Sequence, residues 1–213
     1  MVKNGVTIYV EGGGDSDLLK SKCRKGFSKF FGTAGFADKM PRIMPSGSRN
    51  ETYDAFCTAV SARNIALLLV DSEGAVKDIH QKGDVRQWKP WDHLFHRDNW
   101  ERPDQAVDSN CHLMVQSMES WFIADRLALK DFFKRDFKEN KLPDEANQIE
   151  TLDRKELLKA LENATAGCQK GTYHKGKHSF KLLASINPQK IASASPWAKR
   201  LVSTLKKYMN EGT

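Results

Sequence analysis

Long apolar runs are missing from this chain. Its most hydrophobic stretch, IALLLV at 65–70, is strand-sized, well short of the ~20 residues that a membrane-spanning helix needs. The first ten residues, MVKNGVTIYV, pass almost at once into a strand pattern and lack the apolar core of a secretory signal. The expected location is therefore cytoplasmic, with no membrane partner. Cysteine is sparse: Cys23, Cys57, Cys111 and Cys168 are far apart and show no paired-ligand spacing, which excludes a zinc clip and a disulfide framework and leaves ordinary buried thiols. Internal repeats and low-complexity tracts are also lacking. The glycine-rich segment EGGGD at 11–15 has neither the lysine and hydroxyl of a nucleotide phosphate loop nor the G-x-G-x-x-G spacing of a dinucleotide site.

With 213 residues, 39% of them hydrophobic, the chain can bury one substantial core. We expect a single domain over 1–213, with a long loop insertion at about 74–110 and a basic helical C-terminal extension at about 150–213. The net charge of +7 is uneven: from Arg154 onward twelve Lys or Arg face three Glu, so the preceding residues sum to minus two. A basic final third suits a polyanion such as nucleic acid; the plain alternative is a lysine-rich solvated surface.

The run VTIYV at 6–10, branched or aromatic throughout and ended by glycines, predicts a strand. A helix then starts near Asp15 or Ser16 and carries LLKSKCRKGFSKFF. A second strand is expected around PRIMPS, and a helix capped at Asn50 and bearing Tyr53, Phe56 and Val60 leads into the buried strand at 65–70. Strand, helix, strand, helix, strand is the order of an α/β sandwich around a largely parallel sheet. Beyond it, 74–110 reads as irregular, HLMVQS at 112–117 as another strand, and MESWFIADRLALKDFF as one helix. A helix capped by Asp153, a loop over GCQKGTYHKGKHSF, and a closing helix with Pro196 in its first turn complete the pattern.

The chemistry lies in the acids. Glu11 directly follows the first strand, at the C-terminal edge where parallel sheets bind ligands. Asp71 and Glu73, in LLLVDSEG, follow the buried strand and point the same way if the backbone there stays extended. Carboxylates from two strand ends that converge repel one another, and a divalent ion relieves this. An all-oxygen donor set suits Mg2+ or Mn2+ rather than structural zinc. The structural alternatives are a turn cap for Glu11 and solvated loop acids for the other two.

Four further sites carry candidates. Glu119 stands at a strand-to-helix junction with His112 and Gln116, where it either joins the acids or serves as a first-turn glutamate favoured by the helix dipole. Asp125 is a weaker candidate on the same helix. In YHKGKHS, Lys175, Lys177 and Ser179 can hold a phosphate and His178 can protonate a leaving group; with His174 four residues away but no H-E-x-x-H pattern, a metal role for the two histidines is disfavoured. Arg49, in SGSRNE, either meets substrate at the sheet edge or anchors the following helix. Trp88, Trp91 and Trp100 either stack bases or pin the insertion.

A strand ending in VEGGGD and a later apolar strand ending in an acid pair two apart resemble the Toprim fold of topoisomerases, primases and OLD-type nucleases. YVEGGGDS, MPSGSRNETYDAFCTA, LLLVDSEG, HLMVQSMESWFIADR and YHKGKHSFKLL, in that order over roughly 5–205, resemble the bacterial family labelled domain of unknown function 4276, grouped with Toprim-like proteins. The resemblance implies a Toprim-like (Rossmann-like) fold and metal-dependent phosphoryl transfer on DNA or RNA. It implies that Glu11 is the first Toprim acid, a general base or water-positioning group, and that Asp71 and Glu73 are the metal-binding pair, with Asp-Ser-Glu in place of the usual D-x-D. Asp15 becomes a further metal or supporting residue. An ABC-type ATPase partner, a homo-oligomer and a role in antiviral defence are implied in the same way, the alternative being a non-catalytic nucleic-acid-binding or regulatory subunit.

Overall fold

The computed structural model describes residues 5–14, 16–144 and 148–211. Among them β1 (Thr7–Gly13), β2 (Arg42–Gly47), β3 (Ala66–Asp71) and β4 (Cys111–Met114) pair into one sheet in the order β2-β1-β3-β4. All three pairings are parallel. Every residue of β3 and β4 is buried, as expected of strands covered on both faces.

Alternation along the strands sorts two cores. Ile8, Val10, Leu67 and Leu69 face α1 (Asp17–Phe31), whose Phe27, Phe30 and Phe31 are buried against them. Leu68, Val70 and Leu113 face the other way, toward Phe56 of α2 (Arg49–Ser61) and toward Trp91 and Leu94 of α3 (Pro90–Asp98). The first core continues into α6 (Arg154–Thr165), α7 (Lys175–Leu183), α8 (Pro188–Ala194) and α9 (Pro196–Glu211), through Leu157, Leu161, Leu182, Ile191, Leu201 and Leu205.

Local chemistry sets the helix starts. α2 is opened by Ser48 rather than Asn50: the Ser48 hydroxyl accepts from the Glu51 amide and the Glu51 carboxylate accepts from the Ser48 amide at 2.7 Å, a reciprocal cap. Asp153 caps α6 as expected, accepting from Lys155 and Glu156 amides.

Three expectations are corrected. The helix expected over 118–133 is two, α4 (Ser120–Ile123) and α5 (Arg126–Phe133), because Asp125 leaves helical geometry between them (φ −127, ψ 69). Its carboxylate is drawn to the start of α8, accepting from the Asn187 amide at 2.9 Å and Lys190 Nζ at 2.6 Å. The 74–110 stretch contains α3, with Pro90 at its first turn and Asn99 left-handed at its end (φ 58). Its tryptophans are internal anchors: Trp88 lies 4.6 Å from Trp197, Trp91 5.6 Å from Phe56, and Trp100 stacks on Tyr53 at 4.5 Å. The segment expected as a loop over 167–180 holds the start of α7. No helix among the described residues is long and apolar enough to cross a membrane.

Candidate functional site

The strand order places a topological switch point between β1 and β3, since the chain moves outward from β1 to β2 on one side and on to β3 and β4 on the other. In open parallel sheets the crevice at such a point, beyond the strands' C-terminal ends, is where ligands bind. Glu11 and Asp71 stand on these two strand ends.

Beyond Glu11 the chain turns through Gly12, Gly13 and Gly14 at φ +135, +91 and +47, conformations that side chains resist. Gly13 is required twice over, since a Cβ there would lie 2.8 Å from the Lys20 Cα. These glycines serve the turn and the approach of α1. Beyond Asp71 the strand ends, and Glu73 is left-handed at φ 61, uncommon for a glutamate. Backbone bonds to the end of β4 hold the turn: Ser72 N to Met114 O (2.9 Å), Glu73 N to Gln116 O (3.1 Å), and Gln116 N to Ser72 Oγ (2.7 Å). Asp71 and Glu73 thus converge through a kink, not through the extended alternation expected from sequence.

One carboxylate oxygen each from Glu11, Asp71 and Glu73 lies within 4.8 Å of the others, with Asp71 buried and the other two half-buried. Asp71 Oδ1 accepts from the Met118 amide at 2.8 Å; Glu11 Oε2 accepts from Arg49 Nη1 at 2.9 Å and the Asp71 amide at 3.3 Å; Glu73 Oε2 pairs with Arg97 at 3.5 Å and with Arg154. Among the described residues the contacts fall on one oxygen of each acid, leaving the second to a cation. Burial first, then the Glu11 and Glu119 carboxylates, push the Asp71 carboxyl up to about 7. Like charges gathered in a low dielectric are what a divalent ion offsets. The donor set fits Mg2+ or Mn2+.

Arg49 is held by protein groups. Its Nη1 donates to Glu11 (2.9 Å) and to Asp71 O (2.5 Å), Nε and Nη2 grip Asp98 at 3.1 and 2.7 Å, and the guanidinium lies over Trp100 at 4.8 Å. It ties both acidic strand ends to α3.

On the other side of the acids a cavity of about 250 Å3 opens between the glycine turn and α7. Glu119 reaches it from β4's far end and is 1% exposed. Its Oε1 accepts from Tyr173 Oη at 2.8 Å, while Lys175 Nζ stands 3.1 Å from Oε2 as an ion pair without hydrogen-bond alignment. Ser179 Oγ bonds Tyr173 Oη at 3.0 Å and Lys175 O at 2.6 Å. Lys177 and His178 lie apart from the cavity: Lys177 Nζ donates to Lys170 O at 2.9 Å, and buried His178 accepts from the His174 amide and packs 5.3 Å from Phe133. Asp15 lies outside the described residues. Asp125 is engaged at α8. Sequence reasoning missed Arg97, Asp98 and Arg154; pairs formed across such separations leave no spacing to read.

A family model described as "Domain of unknown function (DUF4276)" matches residues 10–206. No curated protein and no solved structure matches.

Proposed function

The chain belongs to the DUF4276 family, and we propose that it is a Toprim-like, single-domain, metal-dependent nuclease hydrolysing DNA or RNA phosphodiester bonds. The observation that carries this is the convergence of Glu11, Asp71 and Glu73 at the switch point, with Asp71 already destabilised as an anion. Glu11, Asp71 and Glu73 hold Mg2+ or Mn2+, which when bound supplies a Lewis acid for the phosphoryl oxygens and the attacking water.

Charge supports the order of events. Among the described residues five carboxylates (Glu11, Asp71, Glu73, Asp98, Glu119) meet four cationic side chains (Arg49, Arg97, Arg154, Lys175), leaving one net negative charge. A divalent cation makes the site singly positive, and one phosphodiester then makes it neutral. Arg49 positions Glu11 and the β3 end. Lys175, at the first turn of α7 and on the cavity wall, offsets charge on the phosphate, as the N-terminal end of that helix does. Glu11 orients the attacking water and accepts its proton.

Cleavage of single- and double-stranded DNA and RNA with Mg2+ or Mn2+, by wild type and by Glu11→Gln and Asp71→Asn, tests the proposal. Metal-dependent cleavage lost in both folded variants supports it; undiminished cleavage overturns the site. A second function is favoured by one observation: Arg49, Arg97 and Arg154 already pair with Glu11 and Glu73. A non-catalytic nucleic-acid-binding or regulatory subunit needs no more than that, and salt-dependent binding without cleavage identifies it. An ABC-type ATPase partner, a homo-oligomeric assembly, antiviral defence and a cytoplasmic location follow from the family resemblance and belong to the same proposal.

A further inference from the structure

We infer that the cavity beside the acids is a pocket for one unpaired nucleoside whose base carries an exocyclic amine, so that the substrate is presented as a strand end or an extruded nucleotide. This rests on the proposed phosphodiester chemistry for what lies at the acidic end of the cavity.

Size comes first. About 250 Å3 is the volume of about eight waters. That accommodates one base with its sugar but no base pair, and Glu11 and Asp71 form part of the wall. A phosphate at the cation therefore has room beside it for a single nucleoside, and a duplex interior offers none until it opens.

The walls fit such a body. Leu19 from α1, Met118 from the end of β4 and Phe180 from α7 supply apolar surface. Phe180 offers an aromatic ring on which a base can stack, and the flexible Met118 can adapt to purine or pyrimidine.

Glu119 selects the base. Its Oε2 has under 1 Å2 of exposure and no hydrogen bond, although the residue is 99% buried and lines the cavity. Buried carboxylate oxygens are nearly always hydrogen-bonded, so Oε2 calls for a donor. Lys175 balances its charge without supplying that bond. Adenine, cytosine and guanine bring an amino group; uracil and thymine do not. Tyr173, by holding Oε1 at 2.8 Å, fixes the direction in which Oε2 faces.

The test is equilibrium binding of AMP, CMP, GMP and UMP to the full chain with Ca2+ as the cation, alongside cleavage of single-stranded, blunt duplex and covalently closed duplex DNA with Mn2+. We expect AMP, CMP or GMP to bind at least tenfold more tightly than UMP. Leu19→Trp, which fills the cavity from its half-buried rim, should weaken AMP at least tenfold, and Glu119→Gln, whose amide can present either a donor or an acceptor, should erase the preference over UMP. Closed duplex should be the poorest polymer substrate. Equal binding of UMP overturns the role of Glu119. Absence of mononucleotide binding by wild type, with closed duplex cut as fast as single strands, overturns the pocket and leaves the nuclease proposal standing. Selective mononucleotide binding without cleavage of any polymer supports the pocket and removes the nuclease proposal.

Discussion

The two ends of the sheet each carry a buried arginine, and they put it to different use. At the C-terminal end, Arg49 reaches two carboxylates, Glu11 and Asp98, and one carbonyl. At the N-terminal end, Arg200 of α9, 4% exposed, donates to three carbonyls, those of Val85 (3.0 Å), Cys111 (2.7 Å) and Asp108 (2.7 Å), and lies 3.2 Å from His112 Nδ1. Both cross-link helix to strand. Arg200 closes off backbone groups that would otherwise be unpaired; Arg49 holds like charges together and leaves oxygens over. A buried guanidinium therefore marks a working edge only by the company it keeps.

Substitutions should separate the ends. The largest effect is expected from Asp71→Asn, which should lower cleavage by about 10²–10³-fold while thermal unfolding without divalent ions shifts upward, because a buried, repelled anion has been removed. At the other end, Arg200→Met should leave metal binding unchanged but cost about 2–4 kcal/mol of stability, as three carbonyls lose their partner; denaturant unfolding measures it. Arg49→Lys should retain the charge but lose the fork that grips Asp98 and Glu11 together, weakening Mn2+ binding by about tenfold, as read by calorimetry.

The smallest effect is one of pH. The carboxyl of Asp71, raised to about 7, holds its proton more tightly in the folded than in the unfolded chain. Its contribution to stability is therefore complete below the ordinary carboxylate range and lost as pH rises through about 7. Wild type without divalent ions should unfold more easily at pH 8 than at pH 5.5, Asp71→Asn should lack that component, and Arg200→Met should keep it. Mn2+ affinity should fall as pH drops below 7, because the ion competes with a proton.

What could be read in advance follows from how far each signal reaches along the chain. β1 and β3 were legible because buried strands write themselves in consecutive branched residues, and with them came Glu11, Asp71 and Glu73 as strand-end acids. α3 left marks that the irregular composition of 74–110 obscured, a proline at its start and an asparagine at its end. α7 left almost none: it begins Lys-Gly-Lys, a glycine weakens its first turn, and His174 stands where a serine or aspartate would announce a cap. It is helical because of what it packs against. The same holds for the arginines on Glu73, which are assembled by the fold and encoded by no local pattern.

That packing has one narrow point. At Gly26 a Cβ would lie 2.7 Å from the Phe180 carbonyl oxygen, so α1 and α7 cross where α1 has no side chain. α1 follows the glycine turn that bears Glu11, and α7 carries Lys175 to the cavity wall. A single absent methyl group thus gauges the distance between the acids of the chain's beginning and the lysine of its last third; thicken that crossing and the mouth of the site must widen, with no atom of the site itself exchanged.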